Sequence, residues 1–214
     1  MKKTLIIWDW DNTLANTKPA VIKGLNDTMA HFGFDMVTDA DVKNVMTRHR
    51  GEFWTQKFPL EKEGDKPTLE EAIAYYVSCY QKYSSETVLF EHATDILNFF
   101  QSNNIPQVIL SNKNHQALVK EVTDKGVFDY FYLVRGTQGP LGKPEKAFIQ
   151  DVLDDLKPEQ IIVIGDGESD MLLAKNLSAT AFLVHNLDTS LPADYKCKTL
   201  FEVGINLTEA LHKK

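Results

Sequence analysis

Cysteine is scarce in this 214-residue chain: Cys79 and Cys197 are the only two. A disulfide scaffold needs more, so a reducing, cytoplasmic setting is expected. Basic charge is also in deficit, with 23 Lys+Arg against 30 Asp+Glu and a net charge of −7. Nucleic-acid and membrane-surface proteins usually carry a basic face, so neither kind of partner is expected. Long apolar runs are missing too. Stretches such as Ile161–Ile164 fall far short of the roughly 20 residues that span a bilayer. Leu5-Ile6-Ile7-Trp8 is likewise too short for a signal-peptide core and runs directly into Asp9 and Asp11. What remains is ordinary globular composition, 43% hydrophobic and 25% charged, which excludes a disordered or collagen-like chain.

Short β-branched or aromatic runs recur at Thr4–Trp8, Val108–Leu110, Tyr130–Val134, Ile161–Ile164 and Ala181–Val184. Between the later runs lie helical patterns. In Pro144–Leu156, for example, Ala147, Phe148, Val152, Leu153 and Leu156 recur every three to four positions. Similar stripes cover Thr94–Phe100, Gln116–Val122 and Ser169–Leu177. Apolar strands alternating with helices predict an α/β fold, a Rossmann-like parallel sheet flanked by helices.

The segment after the first strand breaks this alternation. Ala20–Phe32 and Asp39–Met46 have helical patterns, and Thr68-Leu69-Glu70-Glu71 is a capping-box signature for a further helix. Leu69, Ile73, Val77 and Tyr80 would form that helix's apolar stripe. The expectation is a sheet domain, 1–15 with 90–214, interrupted by a small α-helical domain, 16–89.

Open α/β sheets bind ligands at the carboxyl ends of their strands. Asp9-Trp10-Asp11-Asn12-Thr13 follows the first apolar run, and Ser111-Asn112-Lys113 the second. Gly165-Asp166-Gly167-Glu168-Ser169-Asp170 follows the fourth. An isolated Asp there is ordinarily a turn or capping residue. Several acids on one sheet edge, however, repel one another unless a cation lies between them. All-oxygen donors without a His/Cys cluster favour Mg²⁺ over zinc.

These runs resemble the ordered motifs of the haloacid dehalogenase-like superfamily. Asp9-Trp10-Asp11-Asn12-Thr13 is similar to its D-x-D-x-T motif, and Val108–Asn112 to its strand ending in Ser/Thr. Gly142-Lys143-Pro144 matches its lysine motif, and Gly165–Asp170 its acidic motif G-D-x-x-x-D. The early helical insert and Ser111-Asn112-Lys113 resemble the branch containing phosphoglycolate phosphatases and β-phosphoglucomutases.

The resemblance implies a phosphatase in which Asp9 is the nucleophile, ionised as an ordinary carboxylate with a pKa of about 3.9, and Asp11 the general acid/base. Ser111 and Lys143 would hold the phosphoryl oxygens, aided by Asn112, with Trp10 also on the substrate side. Mg²⁺ would be held by Asp9, the Asp11 carbonyl and Asp166, with Asp170 a ligand or an anchor for a bound water. Within the insert, Arg48 and Arg50 would bind a second anionic group, a solvated turn being the equal alternative. Trp54 is expected in that domain's core, and Arg135 is a further anion-binding candidate. The partner is a small phosphorylated metabolite: phosphoglycolate, a sugar phosphate or a nucleotide monophosphate. A phosphomutase uses the same residues, and a receiver-like signalling module shares the acids, Mg²⁺ and lysine. Oligomeric state is not legible in the residues.

Overall fold

The computed structural model describes residues 3–46, 50–61, 63–64, 66–186 and 190–212. The chain divides into two compact units, Met1–Asn16 with Val88–Lys214, and Thr17–Thr87.

The larger unit is an α/β domain around a six-stranded parallel sheet. Its strands are β1 (Thr4–Trp8), β4 (Gln107–Asn114), β5 (Leu133–Thr137), β6 (Gln160–Gly165), β7 (Thr180–Val184) and β8 (Tyr195–Cys197). Their spatial order is β5-β4-β1-β6-β7-β8. From β1 the chain winds outward through β4 and β5, then crosses to the other side of β1 for β6. That reversal is the topological switch point, where a crevice opens at the strands' carboxyl ends. A small ladder pairs β2 (Ala15–Asn16) antiparallel with β3 (Val88–Leu89), in register Ala15↔Leu89 and Asn16↔Val88.

Every residue of β1 is buried, as a central strand covered on both faces requires. Alternation divides its side chains between two cores. Ile6 and Trp8 join Ile109, Ile162 and Phe182 beneath α5 (Ala93–Ser102), α6 (His115–Asp124) and α9 (Leu200–His212). Leu5 and Ile7 join Val108, Val163 and Leu183 beneath α7 (Gln150–Leu156) and α8 (Glu168–Asn176). Burying each such aliphatic side chain contributes about 1.5–3 kcal/mol. The Trp8 indole donates to Gln107 Oε1 at 3.0 Å, and the Gln107 amide donates to the Leu97 carbonyl at 3.0 Å, so the polar groups of these two side chains are partnered.

The smaller unit is helical: α1 (Lys18–His31), α2 (Asp39–Met46), α3 (Arg50–Lys57) and α4 (Leu69–Tyr83). Thr68 and Glu71 form the expected capping box. The buried face of α4 differs from the expected stripe. It is Ala72, Tyr76, Cys79 and Tyr80, while Ile73 is exposed. Tyr80 lies in both sets, and Leu69 and Val77 are partly buried against the same core, so the departure is at Ile73. At Tyr80 the backbones of α1 and α4 approach closely, where a Cβ on Gly24 would lie 3.0 Å from the Tyr80 Cα. Trp54 is buried in this unit's core, 5.3 Å from the Tyr76 ring.

Two further boundaries differ from the sequence expectation. Strand β5 begins at Leu133 because Phe128–Tyr130 closes a 3-10 turn. The Pro144–Leu156 stripe divides into a 3-10 turn, Lys146–Phe148, and α7. Among the described residues, no helix is long and apolar enough to cross a membrane.

Candidate active site

Strand β1 delivers Asp9 to the switch point, where its backbone N–H still donates to the Ile164 carbonyl at 2.9 Å. Beyond it the chain turns back, with Asn12 at φ 59° and its N–H donating to the Ala15 carbonyl at 2.7 Å. Asn tolerates this left-handed conformation better than most residues.

The centre of the site is Lys143. Its Nζ lies 2.6 Å from Asp9 Oδ1 and 2.6 Å from Asp170 Oδ1, with all three side chains buried. Burial lowers the pKa of the ammonium, but Asp170 and Asp9 outweigh it and hold the pKa above the ordinary lysine value. Asp170 Oδ2 accepts from the Gly167 N–H at 3.1 Å. Gly165 makes room for it, because a Cβ there would stand 2.2 Å from Asp170 Cγ. Asp166 Oδ2 accepts from the Asn12 amide at 2.9 Å.

Carboxylate oxygens of Asp9, Asp166 and Asp170 lie within 4.8 Å of one another. Burial pushes the Asp9 carboxyl up to about 7. Lys143 opposes the rise, while Asp170 and Asp11 reinforce it. Burial, then Asp9 and Asp170, likewise hold Asp166 well above the carboxylate range. The expectation that Asp9 is ionised like an ordinary carboxylate is therefore corrected for the metal-free protein. When all three acids are ionised, one ammonium leaves negative charge uncompensated. An all-carboxylate donor set of this kind fits a hard divalent cation.

Asp11 stands apart from that cluster. Its Oδ1 accepts from Lys113 Nζ at 2.7 Å, and Lys113 also pairs with Glu121 Oε2 at 3.0 Å. Ser111 is buried within β4, and its Oγ accepts the Lys113 N–H at 3.1 Å. Asn112 holds the lysine loop from both ends of its amide. Oδ1 accepts the Lys143 N–H at 2.8 Å, and Nδ2 donates to the Lys143 carbonyl at 3.2 Å. Thr13 is fully buried, with its hydroxyl 3.5 Å from Asp9 Oδ2.

Asp9, Asp166, Asp170, Lys143, Ser111 and Asn112 thus gather at one sheet edge. Two expectations are corrected. The Trp10 side chain is wholly buried in the core and donates to Glu121 Oε2 at 2.9 Å, so it offers no indole to a substrate. Arg135 is engaged by Asp151 through two bonds of 2.7 and 2.6 Å and by the Phe148 carbonyl, which makes it a structural pair instead of an anion site. Arg48 lies outside the described residues, and Arg50 is the first residue of α3. Sequence reasoning placed Lys113 in the run Ser111-Asn112-Lys113 at this edge without giving it a role, and it did not reach Glu121. The available signal was a lysine two residues after Ser111.

Comparison with known proteins first gives the class. A haloacid dehalogenase-like hydrolase from Streptococcus pneumoniae superposes with a TM-score of 0.80 at 22% identity, covering 95% of this chain and 98% of that one. The likeness establishes the α/β, Rossmann-like fold. The family follows from sequence: residues 6–184 match the family described as Haloacid dehalogenase-like hydrolase, and the chain belongs to it. Similar curated proteins are the phosphoglycolate phosphatases of Photobacterium profundum and Rhodobacter capsulatus. The first is 26% identical, covering 84% of this chain and 81% of its own length. The second is 24% identical, covering 80% and 79%.

Proposed function

We propose that this hydrolase is a Mg²⁺-dependent phosphatase of a small phosphorylated metabolite, with a phosphoglycolate-like compound the first candidate. The family and the phosphoglycolate phosphatase relatives support the phosphatase class. The observation that carries the chemistry is the pairing of Asp9 with Lys143 inside a triad of buried carboxylates, while a separate cation holds Asp11.

In this reading Asp9 attacks phosphorus and the ester oxygen leaves. Lys143 and the Ser111 hydroxyl hold equatorial phosphoryl oxygens, which neutralises charge where it develops. Asp11 delivers a proton to the leaving oxygen. It then takes one from the water that cleaves the aspartyl-phosphate, regenerating Asp9. Asp9, Asp166 and the Asp11 carbonyl would hold Mg²⁺, with Asp170 beside them. When bound, the ion supplies charge neutralisation between the carboxylate nucleophile and the phosphate dianion.

Turnover of p-nitrophenyl phosphate by wild type and Asp9→Asn, with and without Mg²⁺, tests the mechanism. Activity should require both the metal and Asp9. Undiminished turnover in chelator or in the variant would overturn it. A panel of phosphorylated metabolites that includes phosphoglycolate then tests the substrate. A preference for another class of ester would replace the phosphoglycolate assignment.

A further inference from the structure

We propose that Lys113, fixed by Glu121 and Trp10, is a positioning residue that sets the orientation of the Asp11 carboxylate. The inference rests on the phosphatase reading. Lys113 Nζ lies 2.7 Å from Asp11 Oδ1 and 3.0 Å from Glu121 Oε2. That same Glu121 oxygen accepts the Trp10 indole N–H at 2.9 Å. Trp10 and Asp11 are consecutive, so both residues of the turn after β1 are tied to one glutamate on α6. Trp10 reaches it directly and Asp11 through the lysine.

Burial shows that this is more than a surface ion pair. The side chains of Lys113 and Glu121 are 10% and 5% exposed, against 28% for Asp11. Desolvating two ions is costly, and well-packed apolar residues often hold two elements together as well or better. Glu121 carries a further cost, because its Oε1 is buried with no hydrogen-bond partner. As scaffolding the arrangement is expensive. As a means of presenting one cation to the more exposed end of the network it is coherent, because Lys113 engages Oδ1 and thereby fixes the plane of the carboxylate. Proton transfer depends on that geometry before it depends on acidity.

A positioning role differs from direct phosphate binding in its dependence on the leaving group. A poor leaving group needs the proton from Asp11, whereas a good one leaves without it. The experiment measures kcat/KM of the full chain with Mg²⁺ on a series of substituted phenyl phosphates that span leaving-group acidity. Wild type, Lys113→Arg, Asp11→Asn and the double variant K113M/E121Q are compared. The double change removes both charges, so neither is left buried alone, and urea unfolding verifies that it folds. For K113M/E121Q, kcat/KM on the poorest leaving group should fall about 10²-fold, the lower end of general acid catalysis. The best leaving group should be nearly unaffected, giving a steeper slope that approaches the slope of Asp11→Asn. Lys113→Arg, which keeps the charge, should recover the wild-type slope. Parallel lines for wild type and K113M/E121Q would overturn the inference while leaving the phosphatase reading intact. A wild type inactive on every ester would overturn that reading and this inference with it.

Discussion

Asn12 donates its side-chain amide to Asp166 Oδ2 across 2.9 Å, tying the turn after the first strand to the turn after β6. The bond aims one of the three clustered carboxylates from a residue that is itself no candidate ligand. Partners of this kind typically change metal affinity 10–100-fold. Asn12→Gly keeps the φ of 59° accessible and removes the amide. Mg²⁺ binding by calorimetry should weaken about tenfold with the unfolding midpoint nearly unchanged. Unaltered affinity would show that Asp166 needs no such guide.

Lys143→Met leaves Asp9 and Asp170 facing each other without their shared ammonium. Breaking a buried pair in this way costs about 3–5 kcal/mol. Urea unfolding without metal should show that loss. Added Mg²⁺ should restore part of the stability but none of the turnover, because the cation can replace the charge and not the phosphoryl contact. Full recovery of turnover would remove Lys143 from the chemistry.

Metal-free stability should fall as pH rises from about 4 to about 7. Folded Asp9 keeps its proton up to about 7, whereas in the unfolded chain it releases it near 3.8. The native state therefore binds more protons across that window, and stability declines with pH until both states are ionised. Asp166 shifts in the same direction, so Asp9→Asn should reduce the slope without abolishing it. Denaturant titrations at about pH 5 and about pH 8 in chelator measure it. A wild-type slope equal to that of Asp9→Asn would contradict the raised pKa. Saturating Mg²⁺ binds the ionised form, so its stabilisation should grow with pH.

Gly165→Ala places a Cβ 2.2 Å from Asp170 Cγ and 2.4 Å from Oδ2. Asp170 must then give up Lys143 or the Gly167 N–H. Stability should drop by about 1–3 kcal/mol, and turnover should fall with it. Gly139→Ala, where a Cβ meets nothing within 4 Å, is the matched control. Equal behaviour of the two variants would mean that the close approach at Gly165 has no consequence.

The sheet and the central acids were legible because each depends on short-range pattern. Runs such as Leu5–Trp8, alternating along the chain with helical stripes, fit strands covered on both faces of a parallel sheet, and Asp9 and Asp166 directly follow strand ends. The link from Trp10 to Glu121 was not legible in the same way. It depends on where α6 packs against the turn after β1, which neither segment encodes alone. Trp10 illustrates the difference. The family resemblance put it on the substrate side, yet alternation sends its side chain to the core. On α4 the expected stripe is met at Leu69, Val77 and Tyr80 and fails at Ile73, which is exposed while Ala72 and Tyr76 fill the core. The two-residue strands β2 and β3 are too short to leave any periodicity.

That minor ladder has a consequence for how such a chain can be remodelled. Asn16 and Val88 are partners in it, so the sheet unit's chain leaves and re-enters through adjacent strands. Everything between them is a side branch on an otherwise closed hairpin. A reverse turn of a few residues joining Asn16 to Val88 would complete the same hairpin. Insertions of quite different size and shape can therefore be exchanged at this point without altering the path of the strands that carry the acids.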